Sequence, residues 1–127
     1  MNRKIIYTKN APGAIGYYSQ AIVSNGLVYT AGQIPLNPNT GRIISNDFFE
    51  QAEQTLDNIE SVLKAAGTDL SKSIKLTVFM TNLSNYSELN TVFMERFKGV
   101  DPPARSVVEV SALPKYVLIE IDCIATL

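Results

Sequence analysis

The segment Tyr116-Val117-Leu118-Ile119-Glu120-Ile121-Asp122 reads as a buried apolar strand, yet a carboxylate interrupts it. A charge inside a core strand is costly unless it is paired or put to use. Side chains alternate across a strand, so Glu120 shares a face with Asp122, while Ile121, Cys123 and Ala125 take the other. A second charge stands out at Arg105, directly after Pro102-Pro103-Ala104, where the two prolines restrict the backbone. Together they point to a small-molecule cleft in which Arg105 holds an anion and Glu120 handles a proton. By residue type alone, Arg105 fits an interface ion pair equally well, and Glu120 fits a solvated strand position. Asp122 reads as a structural cap or pairing partner, and Cys123 as a small core residue.

A chain of 127 residues is expected to form a single domain, 1–127, large enough to need no staples. With 11 basic and 12 acidic residues the net charge is −1, and no basic cluster stands out. Nucleic-acid binders present a positive face, so nucleic acid is not expected as a partner. No apolar run approaches the ~20 residues of a membrane-spanning helix, and Met1 to Asn10 lack the pattern of a signal or transit peptide. One cysteine forms no internal disulfide, which suits a reducing compartment. The cytoplasm is the expected location, with the mitochondrial matrix as the alternative. The chain has no histidine, which removes Ser-His-Asp and Cys-His nucleophile systems and every His-based metal site. It also lacks a glycine-rich phosphate loop. Any catalysis therefore uses Arg, Lys, Glu, Asp, Tyr, Ser, backbone groups and water.

Two segments carry helical periodicity. From Asp47 to Ala66, Phe48, Phe49, Ala52, Leu56, Ile59, Val62, Leu63 and Ala66 recur at the spacing of one helix face. Asp47 with Glu50 is a start signal and Gly67 a stop. A second helix is predicted from about Asn85 to Lys98, with Tyr86, Leu89, Val92, Phe93 and Phe97 inward. Strands are predicted at 26–31, 72–81, 105–110 and 117–126, and Asn37-Pro38-Asn39-Thr40-Gly41 reads as a turn. Strands and helices in this order predict helices packed on one face of a mixed sheet. The other face, with its Leu, Val and Ile, would then meet a partner subunit.

The chain resembles the RidA (YjgF-like) family of reactive-intermediate deaminases over nearly its whole length. The resemblance rests on Asn10-Ala11-Pro12 with Ile15-Gly16 and Tyr18, then Ala31-Gly32-Gln33-Ile34-Pro35-Leu36. It continues through Gln51, Gln54, Asn58, Ala65-Ala66-Gly67, Lys75-Leu76-Thr77-Val78-Phe79 and Asn90. Pro103-Ala104-Arg105-Ser106, Val108-Glu109-Val110, Leu113-Pro114 and Ile119-Glu120-Ile121 complete it. It implies an α+β, chorismate-mutase-like fold: a mixed six-stranded sheet, the final strand inside it, two helices on one face. It also implies a homotrimer around a central β-barrel, with sites in the clefts between subunits. Family members hydrolyse enamines and imines such as 2-aminoacrylate and 2-iminopropionate to a 2-oxo acid and ammonia, without a cofactor.

By the same resemblance, Arg105 grips the substrate carboxylate through parallel hydrogen bonds, and Glu120 activates water and returns the proton to the leaving amine. Tyr18 and Ala31 are expected to line the pocket, Asn90 to contribute from the second helix, and the backbone carbonyl of Val107 to hold the water. By residue type alone, Tyr18 fits a core aromatic as well as a site residue. Burial would raise the Glu120 pKa and a nearby Arg105 would lower it. Many deaminase members carry cysteine at the position of Val107, serine at Ala31 and proline at Tyr17. Val107 removes any thiol role but keeps the carbonyl, Ala31 deletes a hydroxyl, and Tyr17 adds bulk beside Tyr18. The rival reading is a metabolite-binding regulatory protein using the same cleft without turnover. A ribonuclease would demand a basic surface, and a chaperone an exposed apolar one.

Overall fold

The computed structural model describes residues 3–127; Met1 and Asn2, at the start of the segment read for a targeting signal, lie outside them. Six strands form one sheet in the order β1-β2-β3-β6-β4-β5. They are β1 (Lys4–Ile6), β2 (Ala21–Ser24), β3 (Leu27–Thr30), β4 (Ser73–Met80), β5 (Ala104–Glu109) and β6 (Ile119–Thr126). Only β4 and β5 run parallel, with every other neighbour pair antiparallel. A parallel pair needs a crossover, and helix α2 (Tyr86–Arg96) provides it; α1 (Phe48–Ala65) joins the β3 side to β4.

The central strand follows the expected alternation. In β6, Ile119, Ile121, Cys123 and Ala125 are buried, while Glu120, Asp122 and Ile124 are half-buried on the other face. Leu76, Val78 and Met80 of β4 join the buried row. Against it pack Ala52, Leu56, Ile59 and Leu63 of α1 with Leu89 and Val92 of α2. No helix of the described residues is long and apolar enough to cross a membrane.

Helix α1 starts where the sequence signals it, the Asp47 carboxylate accepting the Glu50 N–H at 3.0 Å. Beyond its end Gly67 takes a φ of +93°, the left-handed conformation that terminates helices. The two helices are tied by Arg96, which donates to the Glu53 carbonyl at 3.0 Å and pairs with the Glu53 and Asp57 carboxylates. Two aromatic expectations are corrected. Phe49 is 37 % exposed and Tyr86 43 % exposed, so neither lies in the core; Phe49 falls outside the buried stripe, and Tyr86 is held over Arg105.

Strands β1 and β2 complete the six-stranded sheet that the resemblance implies, but the residue pattern did not locate them. β2 and β3 form a hairpin across Asn25-Gly26, both at positive φ (52° and 76°). That is the conformation a two-residue turn of mirror-image type requires. The Asn-Gly pair was the available signal for β2. Three-residue β1 offers too short a pattern to read.

The loop after β3 is pinned rather than loose. Gln33 exchanges two backbone hydrogen bonds with Ile121, at 2.8 and 3.0 Å. The buried Asn58 amide of α1 donates to the carbonyls of Ile34 and Leu36, both at 3.0 Å. We therefore expect Asn58→Ala to destabilise the fold by about 1–3 kcal/mol for each interior carbonyl left unpaired. Urea unfolding monitored by circular dichroism measures this, and an unchanged midpoint would contradict it.

Candidate functional site

Arg105 and Glu120 lie on opposite faces of the sheet. Arg105 is paired with Leu76, and Leu76 with Cys123, so Arg105 belongs to the helix-covered side. Glu120 is paired with Phe79, and Phe79 with Val108, on the open side. Within one chain they form two separate half-sites.

The Arg105 half is built by β5 and α2. Tyr86, Asn90 and Phe93 stand at successive turns of α2 and close around the guanidinium. Its Nη2 donates to Asn90 Oδ1 at 2.7 Å and to Tyr86 Oη at 3.1 Å. The guanidinium carbon lies 4.7 Å from the Phe93 ring centre and 5.5 Å from that of Tyr86, within cation–π range. Among the described residues no carboxylate pairs with it. The cation is thus fixed by neutral groups, its charge uncompensated and its Nη1 and Nε directed to no partner there. Beside it opens a hollow of about 580 Å³, walled by Phe93, Met94, Phe97, Val100 and Pro103.

The Glu120 half is a hollow of about 280 Å³ bordered by Ile15, Gly16, Tyr18, Ala31, Gly32, Ile34, Pro114 and Glu120. Tyr18 folds back so that its hydroxyl accepts the Ile15 N–H at 3.2 Å. Ala31 N–H donates to the Gln20 carbonyl at 2.9 Å. Burial, with the like charge of Asp122, pushes the Glu120 carboxyl above the ordinary 4.5. Asp122 is raised by burial too, although a hydrogen bond to Thr77 and the Lys75 ammonium pull it back.

The sequence-predicted residues therefore divide. Arg105 and Asn90 come together on one face, and Tyr18, Ala31 and Glu120 on the other. Val107 packs against the core and lines neither hollow. Tyr17 is fully exposed and borders a neighbouring depression with Tyr29 and Ile22. The expected pull of Arg105 on Glu120 is absent within the chain, because the sheet separates them. Cys123 is buried, its thiol raised to about 11, and so is suited to packing rather than nucleophilic work. Tyr86 and Phe93 were missed as site residues. Their signal was the i, i+4, i+7 relation of Tyr86 to Asn90 and Phe93, which sets all three on one helix face. Among the described residues no cluster of His, Cys, Asp and Glu has the makings of a metal site.

Comparison with known proteins agrees with this architecture. The model of the family described as Endoribonuclease L-PSP matches residues 8–127. A RutC family protein of Pyrococcus horikoshii is 47 % identical over 97 % of both chains. The human 2-iminobutanoate/2-iminopropanoate deaminase is 40 % identical over 97 % of this chain and 89 % of its own length. Among solved structures, a Rid-family protein from Yersinia pestis superposes with a TM-score of 0.97 at 52 % identity, covering 99 % of this chain and 100 % of that one. Escherichia coli TdcF with bound serine gives a TM-score of 0.93 at 42 % identity, over 98 % of each chain. Sequence and fold agree over essentially the full length, and the chain belongs to the YjgF/RidA family, described in that model as Endoribonuclease L-PSP.

Proposed function

We propose that the protein is a cofactor-independent hydrolytic deaminase of reactive 2-imino and 2-enamino acids. The observation that carries this reading is an arginine cradled only by neutral groups, together with a carboxylate whose pKa is raised by burial. Each lies in its own hollow, on opposite faces of one chain. A second copy completes the site by bringing its Glu120 hollow to the first copy's Arg105. In a homotrimer the three open sheet faces meet as a central barrel, and three such sites form.

In this site the Arg105 guanidinium binds the substrate carboxylate, and Asn90 and Tyr86 hold the guanidinium in place. Charge-assisted bonds of this kind contribute about 1.5–3 kcal/mol each. An enamine tautomerises to the imine before hydrolysis. Glu120, ionised, takes a proton from water as its oxygen bonds to the imine carbon, giving a carbinolamine. That proton passes to the nitrogen; Glu120 then takes the carbinolamine's hydroxyl proton and delivers it to the same nitrogen as the C=O bond forms and the C–N bond breaks, and ammonia and a 2-oxo acid leave. Imines are already electrophilic, so positioning supplies much of what the reaction needs. Tyr18 lines the pocket, and Ala31 leaves its wall without a hydroxyl.

The serine-bound TdcF structure favours a second reading, in which the same cleft binds a small amino or oxo acid without turnover. One experiment separates the two. A pyridoxal-phosphate dehydratase generates 2-aminoacrylate from serine in situ, and 2-oxo acid release is followed with and without this protein. We expect acceleration by the wild type, loss with Arg105→Ala, and loss with Glu120→Gln while 2-oxo acid binding by calorimetry persists. Wild type without acceleration but with binding would establish the regulatory reading.

The pH profile is a further test. Glu120 acts as base when ionised, and its pKa is raised, so kcat/KM should fall as pH drops through a value above 4.5. Asp122→Asn removes the like charge, so the acid limb should move to lower pH. A limb that stays in place in Asp122→Asn would contradict the assignment of Glu120.

A further inference from the structure

Gly32 is a glycine for which backbone conformation gives no reason. Gly26, Gly41, Gly67 and Gly99 occupy positive φ, but Gly32 does not. What distinguishes Gly32 is the space beside it. A Cβ built there would fall 2.8 Å from Glu120 Cδ and 3.1 Å from Cγ, and closer still to Oε2. At five of the other six glycines, no atom stands within 4 Å of such a Cβ, and at Gly16 the nearest, on the Tyr18 ring, is 3.4 Å away. The Glu120 carboxylate lies against the bare Cα of residue 32.

The loop carrying Gly32 cannot retreat. Ala31 on one side donates to Gln20, Gln33 on the other is doubly bonded to Ile121, and Asn58 holds the carbonyls of Ile34 and Leu36. Ile121 is the residue next to Glu120, so the pinned loop and the carboxylate share one anchor. The carboxylate itself receives no side-chain or backbone hydrogen bond from the described residues; the neighbouring hydrogen bonds all end elsewhere. Shape, rather than hydrogen bonding, therefore decides where it points.

We infer that Gly32 is a positioning residue for Glu120, its missing side chain forming the seat that aims the carboxylate into the hollow lined by Tyr18, Ala31 and Pro114. The inference rests on the proposed deaminase reading for what Glu120 does there, but not for where it sits. Because the clash falls on the free end of a flexible side chain, Gly32→Ala should fold, with the carboxylate swung away toward solvent.

The test compares wild type with Gly32→Ala by steady-state kinetics and by 13C NMR titration of the Glu120 side-chain carboxyl. We expect kcat to drop at least roughly ten-fold, up to the ~10²–10⁴ that general acid–base catalysis supplies, with KM little changed. The Glu120 titration should shift toward the ordinary carboxylate range as burial is relieved. Asp122 on β6 and Lys75 on β4 face the same side and are unaltered in the variant. An unchanged titration would overturn the inference, whatever happened to the rate. If Gly32→Ala lowers the melting temperature, adding Glu120→Ala should restore it by clearing the space, and persistence of the loss would also overturn it. Should the wild type show no turnover, the deaminase reading falls, while titration and melting still decide the role of Gly32.

Discussion

The two-residue period of β6 is the constraint on which the rest of the molecule depends. The strand lies between β3 and β4 in the interior of the sheet, with Ile119, Ile121, Cys123 and Ala125 turned to the helices. A shift of one residue would exchange the faces, placing Glu120 and Asp122 in the apolar core and exposing the isoleucines. Burial of that row therefore fixes the register, and the register fixes Glu120 on the open face. The Gln33–Ile121 pairing carries the same register into the loop that borders the hollow. Stability and site placement share one physical cause.

The parallel β4–α2–β5 unit places the other charge. Pairing of Val107 with Val78 and of Arg105 with Leu76 directs Arg105 beneath α2, where Asn90, Tyr86 and Phe93 receive it. An arginine with no carboxylate at hand keeps its charge for a ligand, whereas an ion pair would have neutralised it. One chain thus presents a cationic hollow on one side of the sheet and a carboxylate-bearing hollow on the other. Two different surfaces that pair with each other give head-to-tail contacts, which form a ring where the rotation between copies closes and an open filament where it does not. A cyclic assembly is the geometry such a chain would need for its proposed chemistry.

Much of this was legible in the sequence, and the exceptions have physical reasons. Both helices and the inner strands were readable because the apolar residues of 48–63 and 119–125 repeat at the periods of helix and strand. The parity of Glu120, Asp122 and Cys123 followed from the same rule. Strand β1 escaped because three residues carry no period, and β2 because its strongest signal is the Asn25-Gly26 turn rather than its own pattern. Tyr86 was read as inward because helical periodicity does not distinguish an aromatic that packs in a core from one that covers a guanidinium. The separation of Arg105 from Glu120 depends on which strands are neighbours and in what register, and local pattern does not contain that. Gly32 is similar: its meaning appears only once the carboxylate of Glu120, far along the chain, is seen against it.

The central claim is that Arg105 of one copy works with Glu120 of another, and mixed assemblies test it most directly. Arg105→Ala and Glu120→Gln chains, each inactive alone, would be unfolded together, refolded, and assayed for release of 2-oxo acid from 2-aminoacrylate. If each site draws its two charges from different copies, random mixing restores both groups at about one quarter of the sites, and activity returns to that level. If both residues act from a single chain, every site stays defective and the mixture remains as inactive as its parts.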